Sequence, residues 1–397
     1  MGEQVAGQAG IGTTSAPGGG GVVGLGIVGL GVISRQYLDT LAGHPGVRVA
    51  AVTDLDRSRA EAVAAELPGA RVAADLDALV ADDDVSVVLD LTTPGVHAHV
   101  AATCAAAGVD RYGEKPLAAD LAASFEAMAA ATAAGTRVGC APDTVLGTGV
   151  QTARDAVAQG RIGTPTSAVA TWVSPGHEAW HPHPDFYYAP GGGPLLDMGP
   201  YYLTSLVQIL GPVVWVQGAA STSRDERTIG SGPRAGERVP VQVATHVTGV
   251  LGHASGALST VTVSFDAVGS HARPIEVHGT EGSLVVPDPN RFDGDVELTS
   301  LGSAGWEVLP ASAGFEGAGR GIGLLEMVGA VGLGDAPASP RAGGDVGLHV
   351  MEVMTGLLAS ADDGGRVAMT TSPAVPPLVP LTAAATWRGV PDVAGAA

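Results

Sequence analysis

The chain has 397 residues, for which two domains are expected, and 45% of its residues are hydrophobic, which is enough for a sizeable core. Its 20 basic and 40 acidic residues give a net charge of -20, a surface that repels phosphate backbones and anionic membranes. Nucleic-acid and membrane binding are therefore not expected. With two cysteines, no signal-peptide pattern at the N-terminus and no long apolar run, we expect a reduced, soluble, cytoplasmic protein.

The first part of the chain has the pattern of a Rossmann domain. Residues 1–21, rich in Gly, Ser and Thr, are expected to be a disordered tail. Short apolar runs then alternate with helical stretches, which predicts a parallel sheet with helices on both faces over residues 22–145. The expected strands are 22–28, 47–53, 85–91 and 138–140, and the expected helices are 33–42, 57–67 and 97–107.

After about residue 145, Val- and Thr-rich stretches separated by turn residues favour antiparallel hairpins. They predict an α+β second domain over residues 146–375, built on a large, open, mostly antiparallel sheet. Residues 221–238 are expected to be a polar loop, and residues 376–397 a weakly structured C-terminal tail. The expected strands are 166–173, 239–250, 256–266, 275–286 and 296–301, and the expected helices are 150–158, 197–210, 324–331 and 346–360.

Two overlapping glycine patterns, GLGIVG (24–29) and GLGVIS (29–34), compete as a phosphate-binding turn. Such a turn has to follow a strand and begin a helix, and only the second pattern does both. Backbone N–H groups at this helix N-terminus would meet the pyrophosphate of a dinucleotide. The cofactor contacts predicted for this turn are Gly29, Gly31, Val32 and Ile33.

Asp54 ends the second expected strand, at about the right distance beyond the glycines. A carboxylate there accepts hydrogen bonds from ribose hydroxyls and repels a 2′-phosphate, so NAD is favoured over NADP. Arg57 or Arg59 could stack on the adenine or hold a 2′-phosphate, which keeps NADP possible. Asp54 and Arg59 are the predicted cofactor contacts at this strand end.

Seven segments share the pattern of one known family: VGLGVIS (28–34), AVTDLDRSRA (51–60), TTPGVHAHV (92–100), GEKPLA (113–118), GRIGTP (160–165), GGGPLLDMG (191–199) and VHGTEGSLVV (277–286). On these segments the chain resembles the glucose–fructose oxidoreductase / inositol dehydrogenase / MocA family. The resemblance implies a Rossmann domain followed by an open-sheet domain that often mediates dimers or tetramers. It also implies NAD(P)-dependent oxidation or reduction of a secondary alcohol, usually on a carbohydrate.

The resemblance further implies which residues form the site. Asp197 and position 201 would face the substrate, but position 201 is Tyr here where the family usually has His. This departure leaves open which group moves the proton. The other matched positions are Thr92, Thr93, Pro94 and His97 on the nicotinamide side, and Glu114, Lys115 and Pro116 beneath cofactor and substrate.

Lys115 is the single lysine among the 20 basic residues. Asp197 and Tyr201, four positions apart in a helical stretch, share one helix face. An isolated tyrosine has a pKa of about 10, and a neighbouring ammonium lowers it. We therefore expect Lys115 to activate Tyr201 as the acid/base and to polarise the substrate oxygen, while Asp197 binds a second hydroxyl. In the alternative, Lys115 relays the proton itself and Tyr201 only binds substrate.

The segment 176–188 is rich in His and aromatic residues. His177-Glu178-x-x-His181 matches a zinc-protease pattern, but prolines on both sides disfavour the long helix that such a motif requires, and no metal is expected. We expect a loop lining a sugar pocket, in which Trp180 stacks on a sugar face and His177, Glu178 and His181 bind hydroxyls.

These observations together predict a sugar or cyclitol dehydrogenase/reductase that forms homodimers or homotetramers through its C-terminal sheet. An NAD-dependent sugar hydrolase, lyase or epimerase that oxidises its substrate transiently is an alternative prediction. A non-catalytic dinucleotide-sensing regulator is another.

Overall fold

The computed structural model describes residues 21–390. The expected disordered tail therefore lies outside the described residues, apart from Gly21. Six parallel strands form the first sheet in the order β3-β2-β1-β4-β5-β6, with helices between them. The predicted Rossmann architecture is confirmed. The strands are β1 (Val23–Val28), β2 (Val47–Thr53), β3 (Arg71–Val72), β4 (Val87–Asp90), β5 (Asp110–Gly113) and β6 (Val138–Cys140), and the helices are α1 (Ser34–Leu41), α2 (Arg57–Glu66), α3 (Leu76–Val80), α4 (Pro94–Ala107) and α5 (Leu121–Ala134).

The strand ends of this sheet position the candidate site. The strands carry apolar side chains on both faces and are buried between helices, as is usual for parallel sheets. Their carboxyl ends meet at one edge, where ligands bind in open α/β sheets. Four segments singled out from the sequence follow these ends: Gly29 after β1, Asp54 after β2, Thr92 after β4 and Glu114 after β5.

The second half contains a nine-stranded, mostly antiparallel sheet in the order β16-β15-β14-β13-β7-β12-β11-β8-β17, in which β7 and β12 pair in parallel. Helices α6, α8 and α10 pack against it. The predicted open-sheet α+β fold is confirmed. The strands are β7 (Pro165–Val173), β8 (Val213–Ser221), β9 (Glu226–Thr228), β10 (Arg238–Pro240), β11 (His246–His253), β12 (Leu258–Ser264), β13 (Ile275–Gly279), β14 (Gly282–Val286), β15 (Val296–Ser300), β16 (Glu307–Leu309) and β17 (Val367–Ala368), and the helices are α6 (Thr148–Ala158), α7 (Asp185–Tyr188), α8 (Pro194–Leu210), α9 (Ile322–Met327), α10 (Gly344–Asp363) and α11 (Ala384–Trp387).

Three local predictions in the second half are wrong. The single strand expected over residues 275–286 is an antiparallel hairpin, because the chain turns after Gly279 and β14 pairs with β13. The single strand expected over residues 239–250 is two strands in different sheets, because the chain leaves β10 after Pro240 and enters β11 only at His246. The polar loop expected over residues 221–238 contains β9, which pairs with β10 as a separate two-stranded sheet. Arg227 of β9 is almost fully buried because two carboxylates, Glu178 and Asp266, neutralise it.

The C-terminal segment also differs from its expectation. Residues 376–390 of the expected weakly structured tail pack against both halves of the molecule, and residues 391–397 lie outside the described residues. The Trp387 side chain is fully buried, and its Nε1 donates to the Glu316 carbonyl at 2.8 Å. The Trp387 carbonyl lies 2.7 Å from His44 Nε2, on the loop between α1 and β2. Across residues 21–390, no helix combines the length and apolarity needed to cross a membrane.

Candidate active site

The turn after β1 has the geometry of a phosphate-binding turn. Gly24 and Gly26 lie inside β1, whereas Gly29 and Gly31 form the connection to α1. Gly29 has a φ of +85°, and a Cβ there would lie 2.8 Å from the Leu91 backbone, so only glycine fits without strain. A Cβ on Gly31 would meet no atom within 4 Å. This open backbone is what the approach of a pyrophosphate requires.

Asp54 lies beside the same turn. Its Oδ2 accepts the Leu30 N–H at 2.7 Å, and its Oδ1 accepts the Asp56 N–H at 2.8 Å. Arg59 Nη1 lies 3.3 Å from both carboxylate oxygens. A cavity of about 410 Å³ opens here between the turn and α2. Its lining includes Gly31, an almost fully exposed Val32, and Arg59, while Ile33 is half-buried at the start of α1.

The Thr-Thr-Pro segment after β4 (residues 92–94) is fixed by hydrogen bonds to Asp90. The Thr92 N–H and hydroxyl both donate to Asp90 Oδ1, at 3.1 and 2.6 Å, and Asp90 is paired with the buried Arg111 at 2.7 Å. Thr93 is exposed and Pro94 begins α4. These two residues are therefore free to meet a ligand at the strand edge.

His97 does not face a ligand, contrary to the expectation that it lines the nicotinamide side. Its side chain is fully buried. Its Nδ1 lies 2.8 Å from the Pro116 carbonyl and its Nε2 lies 3.1 Å from the Thr92 carbonyl. Through these two backbone carbonyls, His97 connects the Thr-Thr-Pro segment to the Glu-Lys-Pro segment.

Glu114 is likewise buried, and it connects elements of the site instead of facing a ligand. Its Oε1 accepts the Tyr37 hydroxyl of α1 at 2.8 Å, and its Oε2 accepts the Lys115 N–H at 3.0 Å. The carboxylate thereby fixes the turn that carries Lys115 to the helix that follows the glycine turn. Lys115 extends from this turn towards α8.

Lys115, Asp197 and His177 form one hydrogen-bonded chain. Lys115 Nζ donates to Asp197 Oδ1 at 2.9 Å and to the Asp197 carbonyl at 2.6 Å. Asp197 Oδ2 lies 2.8 Å from His177 Nε2. Burial opposes ionisation of Asp197, but the Lys115 ammonium and His177 hold its pKa well below its usual range. Asp197 in turn keeps the Lys115 ammonium charged by raising its pKa against the opposing effect of burial.

Tyr201 lies one turn beyond Asp197 on the same face of α8, as predicted. Lys115 Nζ is 5.3 Å from the centre of the Tyr201 ring, over its face and not at its hydroxyl. The hydroxyl oxygen instead accepts a hydrogen bond from Arg320 Nη2 at 3.1 Å. Burial raises the pKa of Tyr201, whereas Lys115 and Arg320 lower it. The effect of burial is the larger one, so the net change of this pKa is upward. The expected net lowering of this pKa is therefore wrong.

The aromatic loop covers the Asp197 side of the site. His177 begins a short 3-10 turn, and its ring centre lies 4.4 Å from that of Tyr187 and 5.1 Å from that of Trp180. Trp180 is 59% exposed, and His181 packs edge-on against it. Such an exposed indole is suited to stacking on a sugar face.

Glu178 points away from this site and binds Arg227 and the Tyr188 hydroxyl, so its expected contact with substrate hydroxyls is wrong. The zinc-protease pattern has no helix to aim its histidines, because residues 177–179 form only a 3-10 turn. Within residues 21–390, no group of three His, Cys, Asp or Glu side chains is arranged to hold a metal ion.

Two residues at this site were not predicted from the sequence. Tyr187 packs against His177, and burial raises its pKa to about 12, with a further contribution from Asp197. Its position within the aromatic segment was an available signal. Arg320 reaches the Tyr201 hydroxyl from 119 positions further along the chain, and no sequence pattern indicates that contact.

Comparison with known proteins agrees with this fold. Residues 23–141 match the profile of an oxidoreductase family with an NAD-binding Rossmann fold, and residues 150–285 match a GFO/IDH/MocA C-terminal domain. The chain is 28% identical to a 1,5-anhydro-D-fructose reductase of Ensifer adhaerens over 259 residues, which are 64% of this chain and 72% of that protein. It is 44% identical over 73 residues to an inositol 2-dehydrogenase of Saccharopolyspora erythraea, covering 18% of this chain and 22% of the relative.

Solved structures share this fold over most of the chain. An NAD-binding oxidoreductase from Klebsiella pneumoniae superposes with a TM-score of 0.75 at 25% identity, covering 88% of this chain and 100% of the other. A levoglucosan dehydrogenase in complex with NADH and L-sorbose superposes with a TM-score of 0.73 at 21% identity, covering 88% and 99%. The two-domain arrangement described above is therefore shared with dinucleotide-binding proteins.

Proposed function

Because the chain belongs to the GFO/IDH/MocA family of NAD-binding oxidoreductases, we propose that it transfers a hydride between NAD(H) and a secondary alcohol or ketone of a sugar, sugar derivative or cyclitol. The observation that carries this proposal is the hydrogen-bonded pair of Lys115 and Asp197 beside Tyr201. Lys115 follows β5 at the strand edge that also bears the glycine turn, and Asp197 and Tyr201 meet it from α8 of the second domain.

The protonation states at this site bear on which group donates a proton. The dinucleotide, when bound, supplies or accepts the hydride. The pKa values of Tyr201 and Lys115 are both raised, so both groups carry their protons near neutral pH, and either can give one to a substrate oxygen that gains negative charge. Tyr201 donates the proton to the substrate oxygen, Lys115 polarises that oxygen, and Asp197 accepts a hydrogen bond from a second hydroxyl. In the alternative assignment, Lys115 donates the proton and Tyr201 binds substrate.

The covering loop supports a carbohydrate as substrate. Trp180 offers an exposed ring for stacking, His181 a polar edge beside it, and His177 holds Asp197 in place. The names of the relatives point the same way, since they act on anhydrofructose and inositol. On the cofactor side, Asp54 favours NAD, and Arg59 next to it leaves NADP as a second possibility.

The test is a panel of ketoses, aldoses, anhydrosugars and inositols, each incubated with NAD or NADH and followed at 340 nm. Net oxidation of NADH or reduction of NAD with at least one sugar supports the proposal. Product formation without net change of the dinucleotide would instead identify transient oxidation, as in a hydrolase, lyase or epimerase. Tight NADH binding with no turnover of any sugar would identify a sensing protein.

We also propose that the protein is cytoplasmic and forms a homodimer or homotetramer through the uncovered face of the large sheet. Val169 and Leu258 are exposed on neighbouring strands of that sheet, while their sequence neighbours Ala168 and Ser259 are buried beneath it. Apolar residues in such an open face favour self-association. Light scattering of the purified protein tests this, and a monomer at micromolar concentration would contradict it.

A further inference from the structure

The hydroxyl of Tyr201 has an unusual pattern of contacts. Its oxygen has one hydrogen-bond partner among residues 21–390, which is Nη2 of Arg320 at 3.1 Å. A guanidinium can only donate, so the Tyr201 oxygen accepts this bond. The Tyr201 proton therefore has no acceptor in the described part of the chain, and the Tyr201 side chain as a whole is 4% exposed.

Lys115 does not donate a hydrogen bond to the Tyr201 oxygen. Both hydrogen bonds of its ammonium are directed at Asp197, and the ammonium lies over the ring of Tyr201. The contact between Arg320 and the phenol oxygen is therefore the direct charge-assisted one. A hydrogen bond of this kind stabilises the phenolate more than the phenol.

Arg320 is itself held from several directions. Its Nε donates to Gln36 Oε1 of α1 at 3.0 Å, and its Nη2 also donates to Asn290 Oδ1 at 3.0 Å. Its Nη1 is buried, with Glu114 Oε1 as the nearest carboxylate oxygen at 4.0 Å. These contacts fix the guanidinium plane while leaving its edge against the Tyr201 hydroxyl.

The glycines on both sides of Arg320 let the backbone pack closely against α1. A Cβ on Gly319 would lie 2.6 Å from the Thr40 hydroxyl of α1, and Gly321 has a φ of +103°. The buried Asp143 carboxylate accepts the N–H groups of Gly321 and Gly323 at 2.8 and 3.1 Å. The flanking glycines thus let the segment pack onto α1 and place the arginine between the two domains.

We propose that Arg320 is a positioning residue that directs the Tyr201 proton towards the substrate and stabilises the phenolate that forms when this proton leaves. The inference rests on the proposed role of Tyr201 as proton donor. Bound NADH would supply a hydride to the carbonyl carbon of a ketone and become NAD, and the Tyr201 O–H bond would break as the new alcohol O–H bond forms. The negative charge then lies on the phenol oxygen beside Arg320 until solvent returns a proton.

Other charged groups also act on Tyr201. Burial and the Glu114 carboxylate raise its pKa, whereas Lys115 and Arg320 lower it. Tyr187 and Asp197 lie on the Lys115 side, and Asp143 and Tyr37 face Arg320. Removal of Arg320 alone takes away the one direct donor to the phenol oxygen among residues 21–390, so the pKa of Tyr201 is expected to rise further.

The test combines Arg320→Gln and Arg320→Lys with Arg291→Gln as a matched control. Arg291 is exposed and lines the same cleft of about 630 Å³ as Arg320, without a contact to Tyr201. The six tyrosines are labelled with 13C at Cζ, Tyr201 is assigned through Tyr201→Phe, and its ionisation is followed by NMR. Thermal unfolding confirms that each variant is folded.

We expect the ionisation of Tyr201 to move up by about one pH unit or more in Arg320→Gln and to return towards the wild-type value in Arg320→Lys. The Arg291→Gln protein should titrate like the wild type. The kcat for reduction of the best ketone in the panel should fall about tenfold or more in Arg320→Gln, with the KM for NADH unchanged.

An unchanged Tyr201 titration in folded Arg320→Gln overturns the inference. If Arg320 had only a structural role, its replacement would not change the pH at which Tyr201 ionises. A shifted titration with unchanged kcat overturns its catalytic part. The Tyr201→Phe variant separates these outcomes from failure of the proposed function. Full activity of Tyr201→Phe would remove Tyr201 from the proton path, whatever Arg320 does to its ionisation.

Discussion

At the residue scale, the proposed proton transfer depends on Tyr201, at a position where the family resemblance of the sequence leads us to expect histidine. Tyr201→Phe removes the proton and keeps the ring that packs under Lys115. We expect kcat to fall about a hundredfold or more, because a positioned acid contributes that much, while NADH binding is retained. Steady-state kinetics and NADH fluorescence titration measure the two quantities.

The neighbouring Tyr202→Phe is the matched control for this change. Tyr202 is buried on the same helix, and its hydroxyl contacts Asp288 at 3.3 Å, away from Lys115. Its loss should leave kcat unchanged. Equal losses in the two variants would show that the effect is structural and would contradict the assignment of Tyr201.

Asp197→Asn tests the Lys115–Asp197 pair. The change leaves the mostly buried Lys115 ammonium without its counter-charge, so the free energy of unfolding should fall by about 3 kcal/mol at neutral pH. Urea denaturation measures this loss, and Asp83→Asn at an exposed turn is the control.

The pH dependence of this loss follows from the lowered pKa of Asp197. Its ionised form stabilises the fold above the ordinary carboxyl pKa of about 4, and this contribution disappears as the pH falls through the lowered folded value. The difference between wild type and Asp197→Asn should therefore be full at pH 7 and shrink below about pH 4. A difference that stays constant from pH 7 to pH 3 would contradict the ion pair.

At the scale of elements, the glycine turn offers a matched pair of substitutions. Gly29→Ala places a Cβ against the Leu91 backbone at a positive φ, so the fold should lose about 1–2 kcal/mol or more. Gly31→Ala places its Cβ in open space, so thermal stability should be unchanged. Its Kd for NADH should nevertheless rise about tenfold, because the methyl group occupies the path of the pyrophosphate.

Calorimetry and NADH titration of both variants check this pair. Unchanged NADH affinity in a folded Gly31→Ala protein would contradict the placement of the dinucleotide at this turn. A stable Gly29→Ala protein would contradict the backbone conformation of the turn.

The sequence pattern predicts some strands and helices of the first sheet and misses others. The alternation of apolar strands and helices predicted β1, β2 and β4 because parallel strands buried on both faces have a strong pattern. It did not reveal β5, whose apolar signal is interrupted by the buried Arg111 that neutralises Asp90. Helix α5 is Ala-rich on every side, which removes the amphipathic period that identifies a surface helix.

The candidate site was predictable to the extent that its residues lie in motifs. Lys115, Asp197 and the glycine turn belong to short local patterns, and the structure brings Lys115 and Asp197 into contact. The buried, connecting positions of His97 and Glu114 depend on neighbouring loops that their own motifs do not specify. Arg320 depends on the packing of the two domains, which no local pattern encodes.

At the scale of the whole molecule, the C-terminal segment links the two domains through Trp387. This side chain is fully buried between Glu316 of the second domain and His44 of the first. Trp387→Ala should lower the free energy of unfolding by about 3–5 kcal/mol, as for other large buried side chains. Urea denaturation measures it, and Trp306→Ala, at a half-exposed position, is the control. Equal stability of the two variants would contradict the docking of this segment.

In the proposed reaction, a hydride passes between the nicotinamide and a carbon of a sugar while Tyr201 supplies the proton. To test this reaction directly, the enzyme is incubated with 4-deuterated NADH and the keto-sugars of the panel. Deuterium in the product is then measured by mass spectrometry. We expect one deuterium at the new carbinol carbon with wild-type enzyme, and formation of the same product about a hundredfold more slowly with Tyr201→Phe. Tight NADH binding without deuterium transfer to any sugar, or equal rates for the two proteins, would contradict it.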